Sequence, residues 1–183
     1  MDLIETSINR LFVAKLCRQT DDRGFFFRSY CQSVLNEIGI SLPIAQINQS
    51  MTKQVGSVRG MHFQFPPYAE TKMIRCLAGE VFDVAIDLRH ESPTFLTWHA
   101  EYLTPNNGKM MIIPEGFAHG FQVIRPESEL LYFHTAPYSP ANEGGIAFDD
   151  PRVDVKWPRV VTELSNRDRF HKPLSAEFKG LKV

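Results

Sequence analysis

Apolar and polar residues alternate over short stretches along most of this chain. IAQINQSM, VRGMHFQF, TKMIRCLA, EVFDVAID, TWHAEYLT, KMMIIP, AHGFQVI and ELLYFHTA are each strand-length and rich in strand-forming side chains. Between them stand TDDRG, FPPY, AGE, HESP, PNNG, PEG, RPES and YSPANEGG, stretches of turn-forming residues. Strands at this spacing with almost no helix between them predict an antiparallel sandwich or barrel, and favour a jelly roll over a parallel α/β sheet. The exception is SYCQSVLNEIG, where Tyr30, Val34, Leu35 and Ile38 fall on one helical stripe and Gly39 suits the C-terminal end. A second short helix near the C-terminus is cut off by HKPL. The mainly β reading takes residues 1–183 as one domain, with the aperiodic segment from about 150 to 183 as an arm or lid across the barrel.

Composition narrows the function. Twenty Lys plus Arg against 21 Asp plus Glu leave a formal charge of −1. That balance argues against a nucleic-acid or membrane-surface partner, either of which usually shows as a basic excess. No apolar run approaches a membrane span, and MDLIETSINRLFVAK lacks the pattern of a signal peptide. Cys17, Cys31 and Cys76 are odd in number and in no CxxC spacing, so they read as small core residues in a reducing, cytoplasmic protein.

Two stretches, GSVRGMHFQ running on to Glu70 and Gly79, and GKMMIIPEGFAH, look like the paired motifs of the cupin superfamily. A metal-binding cupin brings His-x-His and Glu from the first motif and His from the second, because alternate strand residues point the same way. Here the second histidine position is Gln64, a poor transition-metal ligand, and Glu70 lies beyond the usual interval. His62 and His119 alone make a weak metal site. No metal and no cofactor are expected.

DDRGFFFRSY, QINQSMTKQVGSVRGMHFQ, ETKMIRCLAGEVFDVAIDLRHESPTFLTW, IPEGFAHGFQVI, LYFHTAPYSPANEGGIAFDDP and LSNRD follow one another from about Asp21 to Pro173. Together they resemble the dTDP-4-dehydrorhamnose 3,5-epimerase family. The resemblance implies a metal-independent enzyme that inverts C3, C5 or both of a nucleotide-diphosphate 4-keto-6-deoxyhexose through enolates. It also implies a cytoplasmic homodimer serving surface-polysaccharide or antibiotic sugars.

Epimerisation beside a ketone needs a base, an acid across the ring and a group that stabilises the enolate oxygen. Histidine titrates near neutrality, which suits His62 as base. By resemblance, Asp168 is its partner, Tyr132 the proton donor and Lys72 the cation near the C4 oxygen. Substrate contacts implied in the same way are Arg23, Arg59, His119, Tyr138, Glu143 and Arg167, with Tyr138 stacking on the base and Arg23 and Arg59 suited to phosphate oxygens. Gln46 and Asn48 share strand parity and so suit one face of the site, and Phe26 reads either as a contact beside the nucleotide or as core packing. Arg59 and His62 lie three apart, which on a regular strand sends them to opposite faces, so either Gly60 carries a bulge or one of the two serves a different part of the site.

Two positions depart from the family pattern. Arg167 replaces the usual lysine and keeps its charge. Arg28 stands where the pattern has a nucleoside-binding glutamate. A carboxylate can accept from thymine N3–H, whereas arginine only donates, so Arg28 either suits the N3 and O2 acceptors of cytosine or turns outward or to phosphate, with thymine held by other groups. The nucleotide is therefore dTDP by family pattern or CDP by this residue. Competing readings are a nucleotide-sugar 3,4-ketoisomerase, a non-catalytic sugar-nucleotide-binding cupin and a metal-dependent dioxygenase.

Overall fold

The computed structural model describes residues 1–41 and 43–183. Its strands are β1 (Asp2–Glu5), β2 (Phe12–Lys15), β3 (Gln19–Asp21), β4 (Gly24–Phe26), β5 (Gln46–Thr52), β6 (Val58–Gln64), β7 (Lys72–Asp87), β8 (Trp98–Leu103), β9 (Lys109–Ile113), β10 (Phe117–His134) and β11 (Glu143–Gly145). Two short helices, α1 (Gln32–Glu37) and α2 (Asn166–Arg169), complete it. Nine strands form one antiparallel sheet in the order β1-β2-β9-β7-β10-β6-β11, with β5 on β10 and β8 on β7. β3 and β4 form a separate hairpin. The fold is the expected cupin-type jelly-roll barrel.

The alternation read from the sequence becomes three apolar layers. Ile74, Cys76, Val81, Ala85, Met111 and Phe121 fill the barrel interior. Met73, Met110, Ile112 and Phe133 point outward from the same or neighbouring strands and are covered by Leu35 of α1. Met61, Phe82, Val84 and Ile86 pack instead under Val153, Val155 and Leu181 of the C-terminal segment. Both faces of the central strands are thus buried, which explains their near-continuous apolar runs.

TKMIRCLA and EVFDVAID are one strand, β7, and AHGFQVI and ELLYFHTA are one strand, β10. Their turn signals, AGE and RPES, become bulges at which the β7–β10 register shifts. Ser128 satisfies the broken ladder there: its Oγ accepts Glu80 N–H at 3.0 Å and donates to Arg125 O at 2.7 Å. At this kink each strand changes its second partner. β7 passes from β9 to β8, and β10 passes from β6 to β5. That exchange closes the barrel and leaves a mouth between β5, β6, β7 and β10.

Cys17 is exposed beyond the end of β2, and its thiol lies 3.4 Å from Asp2 Oδ2, so it is not a core residue. Cys76 is buried and Cys31 partly buried. Among the described residues no helix is long and apolar enough to cross a membrane.

Candidate active site

A cavity of about 510 Å³ opens at the barrel mouth. β5 sends Gln46, Asn48 and Ser50 into it from alternate positions, while Ile47 and Met51 face out. β7 contributes Lys72, and β10 contributes His119, Tyr132 and His134. β6 supplies both Arg59 and His62, and of the two ways around the parity conflict the structure takes the bulge. His62 pairs with His119 and Arg59 with Phe121, three positions on β6 against two on β10. Gly60 sits between them at φ +130°, and a Cβ there would lie 2.5 Å from Gly120 Cα. A side chain at residue 60 would therefore separate the strands that align these two groups.

The C-terminal segment brings the last parts. Ser165 caps α2 by accepting Asp168 N–H at 3.0 Å, and this fixes Asp168 in the barrel wall. Asp168 Oδ1 lies 2.7 Å from His62 Nε2, and Oδ2 accepts Gly60 N–H at 3.2 Å. Burial alone would push the Asp168 carboxyl up. The His62 hydrogen bond and charge, with Gly60 and Ser165, outweigh it and hold the group down at about 2. An ionised carboxylate only accepts, so His62 carries its proton on Nε2 and keeps a lone pair on Nδ1.

Arg167 closes this corner. Its Nη1 donates to Glu143 Oε2 at 2.7 Å, and its Nη2 lies 3.1 Å from His62 Nε2. Tyr138 donates its hydroxyl to the same Glu143 oxygen at 3.0 Å. Deeper in, Tyr132 lies 3.1 Å from Ser50 Oγ, and burial raises the phenol, so it stays a neutral donor. His119 meets the fully buried Asp83 at 2.8 Å, and burial raises that carboxyl. Gln64, the position that weakens a cupin metal set, has its amide committed to backbone: it accepts from Ser139 N–H at 2.7 Å and donates to Tyr68 O at 2.9 Å.

A family model described as dTDP-4-dehydrorhamnose 3,5-epimerase matches residues 5–176. The chain belongs to this family. A dTDP-4-dehydrorhamnose 3,5-epimerase of Salmonella typhimurium is 42% identical over 170 residues, 92% of each chain. A Legionella pneumophila epimerase structure in complex with dTDP-4-keto-L-rhamnose superposes with a TM-score of 0.92 at 35% identity, covering 100% of this chain and 98% of that one. A Bacillus anthracis epimerase structure with TDP and pyrophosphate bound gives 0.90 at 35% identity, covering 94% and 99%.

Within this cavity stand Glu70, weighed from the sequence as a metal ligand alone, and His134, which no motif singled out. Glu70 bridges two groups: its Oε1 is 3.2 Å from Lys72 Nζ and its Oε2 is 2.7 Å from His134 Nδ1. Burial would raise Glu70, but His134 and Lys72 together pull it below its ordinary value. His134 Nε2 in turn lies 3.3 Å from Asn48 Nδ2. With Nδ1–H given to the carboxylate, His134 accepts from the Asn48 amide and leaves the Asn48 carbonyl free for a donor. The available sequence signal was parity, since Glu70 precedes Lys72 by two positions and His134 follows Tyr132 by two.

Three predicted contacts are not brought to the cavity. Arg23 is exposed on the β3–β4 hairpin and pairs with Asp21 at 2.6 Å. Phe26 is 72% exposed. Arg28 is exposed and, among the described residues, its one side-chain hydrogen bond is to Cys31 Sγ, at 3.7 Å. Both hairpin strands are exposed, and Phe27, just after β4, packs on the core.

The Asp168 environment gives a stability test. A carboxyl held below its unfolded value, near 4, contributes stability that is present above that value and is lost as pH falls toward about 2. Urea midpoints at pH 5 and pH 3 should therefore draw together in Asp168→Asn relative to wild type. An unchanged gap would show that the pair does not link folding to pH.

Proposed function

We propose that the chain inverts C3, C5 or both of a nucleoside-diphosphate 4-keto-6-deoxyhexose by proton transfer, with His62 as base, Tyr132 as acid and Lys72 at the enolate oxygen. The observation that carries this reading is the His62–Asp168 pair at 2.7 Å, which leaves an imidazole lone pair at the cavity. His62 takes the proton beside the ketone, and the C–H electrons move into an enolate whose oxygen is met by the Lys72 ammonium. Tyr132 then returns a proton to the opposite ring face, and the ketone re-forms. Solvent resets both groups. Protons and electron pairs balance without an oxidant.

Substrate placement follows from charge. Lys72 and Arg167 each have a carboxylate partner, whereas among the described residues Arg59 contacts only a backbone carbonyl, Met51 O at 3.4 Å. Its free guanidinium suits a diphosphate. Tyr138, 51% exposed at the mouth, offers an aromatic face to the base. Gln46, Asn48, His119, Glu143 and Arg167 line the path between, and Asp168 orients His62.

The working form is read as a homodimer. The hairpin carries Arg23 and Phe26 away from their own barrel, and the outer strand β5 exposes Ile47 and Met51, features that suit a second copy whose cavity the hairpin completes. Light scattering that finds a monomer at assay concentration would remove this part.

The relatives' names favour dTDP, and the donor-only side chain of Arg28 favours CDP as a second reading. Turnover of dTDP- and CDP-4-keto-6-deoxyglucose in D₂O, followed by NMR, tests nucleotide and chemistry together. Deuterium at C3 or C5 with the ketone still at C4 is expected. A C3 ketone in the product would instead make the enzyme a ketoisomerase, and a strong dTDP preference would end the CDP reading.

A further inference from the structure

His171 belongs to no motif and has no part in the proton transfers above, yet it stands against the base. Its ring meets His62 edge to face with centroids 5.5 Å apart. It lies over Gly145, where any Cβ would overlap the imidazole, so the backbone of β11 leaves room for this ring beside His62. Its Nδ1 is buried and has no hydrogen-bond partner among the described residues. Burial, then the charge of His62, hold His171 below its ordinary value, which keeps the ring unprotonated at neutral pH.

One ligand atom each from His62, Asp168 and His171 lie within 4.8 Å of one another. We propose that these three residues form a binding site for a borderline divalent cation such as Zn²⁺, through which the metal reversibly blocks the enzyme. Two imidazoles on one tetrahedral zinc, with nitrogens about 2.0–2.1 Å from the ion, bring their ring centroids to roughly 5 Å, close to the spacing found here. A neutral imidazole, an ionised carboxylate and a second imidazole are a His₂-carboxylate donor set, and two of the three, His62 and Asp168, line the cavity from which a fourth ligand would enter. This set is distinct from His62 and His119 with Gln64, the cupin arrangement, because its other two ligands come from the C-terminal segment. Metal on His62 would displace the Nε2 proton and break the ring's bond to Asp168, so the base would be lost from the reaction.

Arg167 opposes the ion. Its Nη2 lies 3.1 Å from His62 Nε2, near where the cation would sit. Its side chain is half exposed, so it can swing to solvent, and binding becomes a competition between guanidinium and metal. The site therefore acts as a brake that engages when free metal rises.

Calorimetric titration of ZnCl₂ into the purified full chain, in buffer free of phosphate and chelator, reads binding without substrate and so independently of the proposed reaction. Wild type is expected to bind one equivalent, and Co²⁺ to give the visible bands of a tetrahedral site. His171→Phe keeps the ring against His62 but removes both nitrogens, and should weaken binding at least about tenfold, as should His171→Ala. Both variants should keep metal-free turnover and lose zinc inhibition. Arg167→Gln should tighten binding by removing the competing charge. The proposal is overturned if wild type takes up no Zn²⁺ at about 100 µM, a concentration that saturates a micromolar site. It is equally overturned if folded His171 variants bind and are inhibited like wild type.

Discussion

Replacing His62 with asparagine is expected to lower kcat by about 10²- to 10⁴-fold, the usual contribution of a positioned base. That range corresponds to about 3–5 kcal/mol of transition-state stabilisation. The amide still accepts and donates in the space of the ring but cannot take a proton from carbon. Arg59, Tyr138 and Arg167 remain at the cavity, so KM should change far less than kcat. Deuterium entry at C3 and C5 should fall in parallel with turnover, because without proton abstraction neither occurs. Initial rates at saturating substrate, with NMR of the same samples in D₂O, give both quantities. Exchange that persists at the wild-type rate would assign the base elsewhere.

Tyr132→Phe should separate what His62→Asn abolishes together. The base still forms the enolate, and the Lys72 ammonium still meets its oxygen, but no donor waits on the opposite face. Inversion should fall by about 10²-fold or more, while His62 continues to exchange the substrate proton with solvent on its own face. Deuterium then appears in unconverted substrate with its configuration retained. The fold should tolerate the change, because the phenol loses a single bond, to Ser50 Oγ, worth about 1 kcal/mol. The buried phenol, raised above its ordinary value, also means that loss of activity in mild alkali does not arise from Tyr132 ionisation. Parallel loss of exchange and inversion would remove Tyr132 from the acid role.

Both experiments depend on groups that stand far apart in the chain. Short runs of strand-forming residues between turn formers located β5, β6, β8 and β9, whether half-buried or, like KMMII of β9, buried on both faces. The same rule explains the error at AGE and RPES. Turn-forming residues there bend β7 and β10 without ending them, and a one-dimensional pattern does not distinguish a bulge from a turn. β1, β2 and β11 were missed because they are only three or four residues long, too short for alternation to register. Gly60 was a two-way case: parity required either a bulge there or separate places for Arg59 and His62, and the β6–β10 register contains the bulge.

The chain's order of apolar and polar residues, with its ordered motifs, determined the barrel, the family and the individual residues from which the site is built. Those properties are local or additive along the sequence, so they survive reading in one dimension. Only the tertiary structure decided which groups share a proton or a charge. It set Asp168 on His62 across 106 residues of chain, tied Lys72 to Glu70 and His134, and laid His171 against the base through the space at Gly145. It also left Arg23 and Phe26 on the β3–β4 hairpin, and Arg28 just after it, outside the cavity. Hydrogen bonds and electrostatic contacts act over a few ångströms, and proximity at that scale is a property of strand register and loop path.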